Sequence, residues 1–430
     1  MQKSNKILYH LVFFATLSVV VFNLFAIIFP SFLLTTFYPY TTNLQPFESS
    51  VWLVPIISSN SILLAIGFMY YRKKLPLQIY KGIEFILNFE ISKKTALLTG
   101  ITILVIYVGF SLPELAIDEA TQYDDYGLMK NALEIWPSTD SDDMYINEAN
   151  TRYVRMLLFD ASIVIFQNIK ILPFVASILL VVVTFFLTYQ ITQKRFAGII
   201  SMMILLQSHT FLHFDTIAVY ENFWVLFYVV SLYMINRKWQ YSSISYLLAI
   251  FSKAFIAVFF LSSLYYICRA TISTRKKLFT LVSYAASLII ILLVFSFGES
   301  IHFISQFPNF SSGGESNLSN IINISSSEFL LAFNALGYAL RYDLIIVLSL
   351  LPLTLGLFFK FRKENSKKID SILVLILTAL VAGPVMIMLT DFYFILPYRF
   401  LPLIVFVAVG IGVLLSKKIN LLGLKQSSSR

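Results

Sequence analysis

Asp118 and Glu119 stand side by side in "SLPELAIDEATQYDDYGLMKNALEIWP", residues 111–137, just beyond a long apolar stretch. A carboxylate so placed can take a proton from an attacking hydroxyl. Ten of the 23 acidic residues fall between Glu114 and Glu148, against one base, Lys130, so this is a concentrated acidic loop. Elsewhere, single ionisable residues interrupt or flank apolar runs: Asp215, Glu221, Lys253, Arg341, Asp343 and Arg399, with His209 and His213 alongside. An ionisable group at membrane depth is costly and is a functional hypothesis by default. Lys and Arg hold phosphate, Arg through a two-pronged fork. Carboxylates and bases on one leaflet suit a substrate with an anionic head and an apolar tail.

Other chemistries find less support. "HTFLH" puts His209 and His213 on one helical face, but the Glu of H-E-x-x-H and a third ligand are missing. No Gly-rich phosphate loop or G-x-S-x-G elbow occurs. A single cysteine, Cys268, permits neither a disulfide within the chain nor a Cys-based metal centre. Arg341 and Asp343 read as a pair at a helix start, outside the site. The net charge of +9 is no sign of nucleic acid, because the bases cluster in short segments between apolar runs.

The elements that must carry these groups are membrane helices. The chain is 58% hydrophobic and 13% charged, with 41 Phe and a mean hydropathy of +0.79. Apolar runs at 8–29, 51–71, 96–113, 171–192, 196–212, 216–235, 278–297, 340–359, 370–390 and 400–416 are of spanning length or close to it. Backbone groups in lipid must bond internally, and the runs do not alternate with period two, so an all-α bundle is expected rather than a barrel. "MQKSNK" leads into a first helix expected to be retained. Basic clusters at Arg72–Lys74 with Lys93–Lys94, Lys194–Arg195, Arg237–Lys238, Arg275–Lys277, Lys360–Lys368 and Lys417–Lys418 are cytoplasmic by the positive-inside rule. The acidic loop 114–150 is then extracytoplasmic. The segment 153–169, broken by Arg155 and Asp160, reads as a helix lying in the outer interface. The Ser/Asn/Gly-rich stretch 298–328 carries three N-x-S sequons, at Asn309, Asn317 and Asn323.

Charge parity makes a sharper statement. Arg237–Lys238 and Arg275–Lys277 both want the cytoplasm, yet only "YSSISYLLAIFSKAFIAVFFLSSLYYIC" separates them. Two short half-crossings meeting at Lys253 satisfy the rule; one crossing does not. About 13 residues on each side give about 20 Å of helix per arm. Counted this way, the fold is a polytopic membrane bundle of about twelve crossings with both termini cytoplasmic. Residues 1–95 form a two-span appendage with a basic cytoplasmic linker, and 96–430 form the main bundle.

From about residue 96 the order of features resembles the GT-C superfamily of membrane glycosyltransferases, which includes protein O-mannosyltransferases and the aminoarabinose transferase of lipid A. The resemblance rests on "IDEATQYDDYGLMKNALEIWP" after a span, on Glu221 opening a return span, on "YLLAIFSKAFIAVFF" and on "LPYRFLPLIVFVAVGIGVLL". It implies sugar transfer from a polyprenyl-phosphate carrier to a lipid, protein or glycan acceptor at the outer face. Carried over, Asp118 or its neighbour Glu119 is the base toward the acceptor. Glu221 is the second outer-loop acid, and Lys253 and Arg399 are cations near the lipid phosphate. Asp215 and His213 complete the candidate substrate-binding set. No "WWDYG"-like sequence occurs, which argues against an oligosaccharyltransferase, and "NTRYVRMLL" stands where the family often has a proline pair.

No cofactor is expected, with a divalent metal left open, and the expected partners are the donor, its acceptor and membrane lipids. The expected location is the plasma membrane of a prokaryote. The rival reading is a transporter or flippase of anionic lipid or small solute, which would use the same groups as a substrate or proton path. Against it stand the missing inverted repeat and the gathering of polar groups on one face. A non-catalytic scaffold leaves those groups unexplained.

Overall fold

A computed structural model describes residues 2–32, 45, 47–123, 125–136, 152–297, 340–341, 343–364, 367–390 and 397–416. The acidic stretch 137–150, the loop 298–339 with its three sequons, Asp391 and Lys417–Lys418 lie outside the described residues. Among the described residues the chain is all-helical, without strands. Six helices among the described residues are long and apolar enough to cross a membrane, and four shorter apolar helices accompany them.

The helices are α1 (Gln2–Ile28), α2 (Leu53–Tyr71), α3 (Leu77–Asn88), α4 (Lys93–Ser111), α5 (Asp125–Ile135), α6 (Tyr153–Phe166), α7 (Ile171–Thr192), α8 (Arg195–Leu206), α9 (His209–Phe214), α10 (Phe223–Arg237), α11 (Ser242–Ser252), α12 (Phe260–Arg269), α13 (Thr274–Phe297), α14 (Leu344–Glu364), α15 (Lys367–Thr390) and α16 (Leu401–Leu414). The core is built around α16, apolar on every side and buried against α7, α8, α14 and α15. Small residues let the backbones close up there. A methyl placed on Gly412 would sit 2.7 Å from the Ala197 carbonyl oxygen. Ser201 adds a polar tie, donating to Ala197 O and to Thr188 Oγ1, each at 2.8 Å.

The two N-terminal spans pack on the last third of the chain. Tyr9 and Phe13 stack on Phe361 and Phe358, with centroids 3.6 and 3.8 Å apart, and Tyr9 donates to Phe358 O at 3.1 Å. On α2, Ser59 donates to Leu348 O of α14. The linker between α2 and α4 contains a helix of its own, α3, where the sequence reading has only a basic connection.

The chain breaks at Lys253 as charge parity predicts. Lys253 is extended, with φ −158° and ψ 117°, between α11 and a 3₁₀ turn, Ala254–Phe259, that leads into α12. The pair returns to its starting end, since Asn236 Oδ1 accepts from Thr271 N at 3.0 Å. The basic segments gather at that end. Arg195 meets Glu90 at 3.3 Å, Gln190 of α7 donates to Tyr233 O of α10, and Lys360 donates to Val413 O. A buried Arg269–Asp370 pair at 2.9 Å ties α12 to α15.

Two expected spans are shorter than drawn. The run 196–212 ends at Leu206, because Ser208 caps a new helix by accepting from Phe211 N at 3.0 Å. Asp343 reinforces the break: it accepts from Ser208 Oγ at 2.5 Å and from the Thr210 hydroxyl. The run 216–235 becomes helical only at Phe223, since 215–222 is a loop whose amides bond elsewhere.

Candidate functional site

The loop 215–222 organises everything near it. Glu119 is 2% exposed and accepts from Ala218 N at 2.7 Å and Val219 N at 3.2 Å. Lys170 lies 3.7 Å from the same carboxylate and donates to Glu114 O and Ile117 O, which anchors the start of the acidic loop to α7. Burial raises the Glu119 carboxyl above its ordinary range, while the two amides and Lys170 pull it back. At the next peptide, Arg155 Nη2 donates to Val219 O at 2.7 Å. Arg155 also pairs with Glu221, Nε to Oε2 at 3.0 Å, with both side chains buried. One loop is thus gripped by an acid on one face and a base on the other.

Beyond Glu221 the half-helix pair delivers Lys253. Its ammonium lies 3.9 Å from the ring centroid of Tyr398 and 5.7 Å from that of Trp224. Tyr398 and Arg399 arrive on a 3₁₀ turn, Pro397–Phe400, at the mouth of α16. The Arg399 guanidinium is 6.0 Å from the Phe255 ring, and Tyr220 stacks on Tyr398 at 4.6 Å. Arg152, just ahead of α6, lies within electrostatic reach of Arg155, Glu221, Tyr398 and Arg399. Burial pushes the Glu221 carboxyl up, and the Arg155, Lys253 and Arg152 cations pull it back. Three cations therefore act on one carboxylate, and Arg399 stands beside Tyr398. Arg399 Nε and Trp224 Nε1 are buried donors without a hydrogen-bond partner among the described residues.

The sequence-selected residues divide into three groups. Glu221, Lys253 and Arg399 converge on this cationic pocket. Asp118 and Glu119 lie on the same end but across the 215–222 loop. Asp118 is exposed and accepts from Ala120 N at 3.0 Å, capping a short turn. Asp215 and His213 belong to other networks. Asp215 is fully buried, accepts from Ser111 at 2.8 Å, and is pushed up by burial to about 6. His213 is exposed, within 3.3 Å of the Tyr123 hydroxyl, with its ring 5.8 Å from that of His209. Among the described residues no group of three or more His, Cys, Asp or Glu could hold a metal ion.

Sequence reasoning missed Arg152, Arg155 and Tyr398. Arg155 did carry a signal, a base breaking an apolar helix, but the helix read as interfacial and its base was given no role in the site. Tyr398 adjoins Arg399 yet has no formal charge to mark it. Comparison of the chain with protein-family models, curated proteins and solved structures returns no match.

Proposed function

We propose that the chain is an integral-membrane glycosyltransferase that moves a sugar from a polyprenyl-phosphate carrier to an acceptor at the outer face. The observation that carries this reading is the meeting of Lys253 and Arg399 beside Tyr398 where two half-helices turn back, with Arg399 Nε a buried donor lacking a hydrogen-bond partner among the described residues. Buried donors are normally satisfied, so the open donor of Arg399 beside the Lys253 ammonium suits an anionic ligand. Arg399 and Lys253 suit a phosphate, the first through its planar fork and the second as a point charge. Exposed apolar helix surface around the bundle suits the carrier's tail.

In this reading Glu221 is a counter-ion that holds Arg155 in place. Asp118, exposed on the neighbouring segment, is the base toward the acceptor hydroxyl. Displacement forms a bond from the acceptor oxygen to the sugar's reactive carbon and breaks the bond from that carbon to the phosphate oxygen. The acceptor's proton passes to Asp118, and the negative charge on the departing lipid phosphate is met by Lys253 and Arg399. Twelve crossings, a GT-C-like bundle, cytoplasmic termini and a prokaryotic plasma membrane belong to the same proposal.

The test is transfer of labelled sugar from a polyprenyl-phosphate sugar to membrane extract by the purified protein. Product formation that is lost in Asp118→Asn supports the reading. Carrier movement across vesicles with no glycosylated product would assign the pocket to a transporter instead.

A further inference from the structure

Helix α3 lies between two membrane exits, five residues beyond α2 and four before α4. It is held to the bundle along one side. Glu84 accepts from the Tyr70 hydroxyl at 2.7 Å, Leu87 O accepts from Lys194 Nζ at 2.7 Å, and Phe89 packs edge-on against Phe196. Its other faces hold apolar side chains outward: Leu77 is 67% exposed, Ile79 51%, Phe85 66% and Ile86 44%. Such a face beside two spans is immersed at the bilayer surface.

The charges around it are unequal. Arg72, Lys73, Lys74, Lys81, Lys93 and Lys94 are all exposed, and among the described residues none forms an ion pair. The two acids nearby are occupied. Glu84 takes hydrogen bonds from Tyr70, Tyr80 and Asn88, and Glu90 accepts from the Arg195 amide and pairs with its guanidinium. An open groove of about 510 Å³ follows the helix, lined by Lys81, Glu84, Phe85, Asn88, Phe89 and Glu90. It offers a base and two aromatic rings side by side.

We propose that α3 and its flanking bases form a binding surface for anionic phospholipid in the cytoplasmic leaflet. Ile79, Phe85 and Ile86 enter the acyl boundary, and Lys73, Lys74 and Lys81 hold the phosphodiester headgroups. The surface belongs to the basic end of the molecule, so it is separate from the cationic pocket at Lys253 and stands whether or not sugar transfer is found.

The test uses the full-length protein in phosphatidylcholine vesicles with and without phosphatidylglycerol. Spin-labelled phosphatidylglycerol should exceed spin-labelled phosphatidylcholine in the protein-bound lipid fraction by roughly threefold to tenfold at low salt, and the excess should shrink at high salt. Lys73→Gln, Lys74→Gln and Lys81→Gln together should bring the ratio down at least about threefold, while the corresponding three Lys→Arg changes retain it. A nitroxide at Ile79→Cys, in a Cys268→Ser background, should be reached by oxygen rather than by a water-soluble nickel chelate. Equal, salt-independent association of the two lipids would overturn the proposal. So would an aqueous label at position 79, the result expected if the face were kept for a protein partner.

Discussion

Asp118 and Glu119 are joined by a peptide bond and divided by their surroundings. Asp118 stands in the open as the cap of a short turn, whereas Glu119 is buried against two loop amides and Lys170. Asn caps as well as Asp, so Asp118→Asn should leave stability within about 0.5 kcal/mol while lowering transfer by about 10²–10⁴-fold. Glu119→Gln presents an NH₂ group to one of the two amides and removes the countercharge of Lys170, which should cost about 1–3 kcal/mol. Denaturant melts and initial rates on the two variants check this. The opposite pattern, a stable but inactive Glu119→Gln beside an active Asp118→Asn, would exchange their roles.

Glu221 should behave as a counter-ion. Removing its charge leaves Arg155 buried without a carboxylate, at a cost of about 3 kcal/mol. The same change raises the positive potential of the pocket, so Glu221→Gln should be less stable yet bind polyprenyl phosphate more tightly. Melting temperature and equilibrium binding on one preparation separate the two effects. Weaker binding would mean that Glu221 serves the ligand directly.

Asp215 gives a pH signature. Burial lifts its carboxyl from 3.8 to about 6, so the folded protein holds this proton more firmly than the unfolded chain does. The associated stabilisation is complete below pH 3.8 and disappears as pH rises through about 6. Asp215→Asn still accepts from Ser111 and has no charge to bury. Its melting temperature should therefore gain on the parent protein's as pH rises from below 3.8 to above about 6. A constant difference between the two across this range would mean that Asp215 is ionised at no cost.

Much of the fold was legible because membrane and charge constrain it from outside. The break at Lys253 follows from basic clusters that must share a side, whatever packs around them. The spans 96–113 and 171–192 match α4 and α7 because length and hydropathy suffice there. What was not legible depends on pairing through space. That Glu119 reaches the Val219 amide, and that Arg155 meets the carbonyl of the same residue, requires knowing where a loop lies against two helices. The start of α10 at Phe223 has the same cause, since amides taken by Glu119 are unavailable to a helix. Ser208 as a helix cap was readable in "SHTF" but was hidden by the apolar run on both sides.

The central claim is that the pocket around Lys253 binds a lipid phosphate, and its most direct measurement is equilibrium binding of polyprenyl phosphate to the full-length protein in nanodiscs. Lys253→Gln should weaken binding by about 10- to 100-fold, the loss of a charge-assisted hydrogen bond, and Arg399→Gln should weaken it in the same direction. Uncharged polyprenol should bind both variants and the parent alike. Unchanged phosphate affinity in two folded variants, or parent protein that binds polyprenol as tightly as polyprenyl phosphate, would contradict the account.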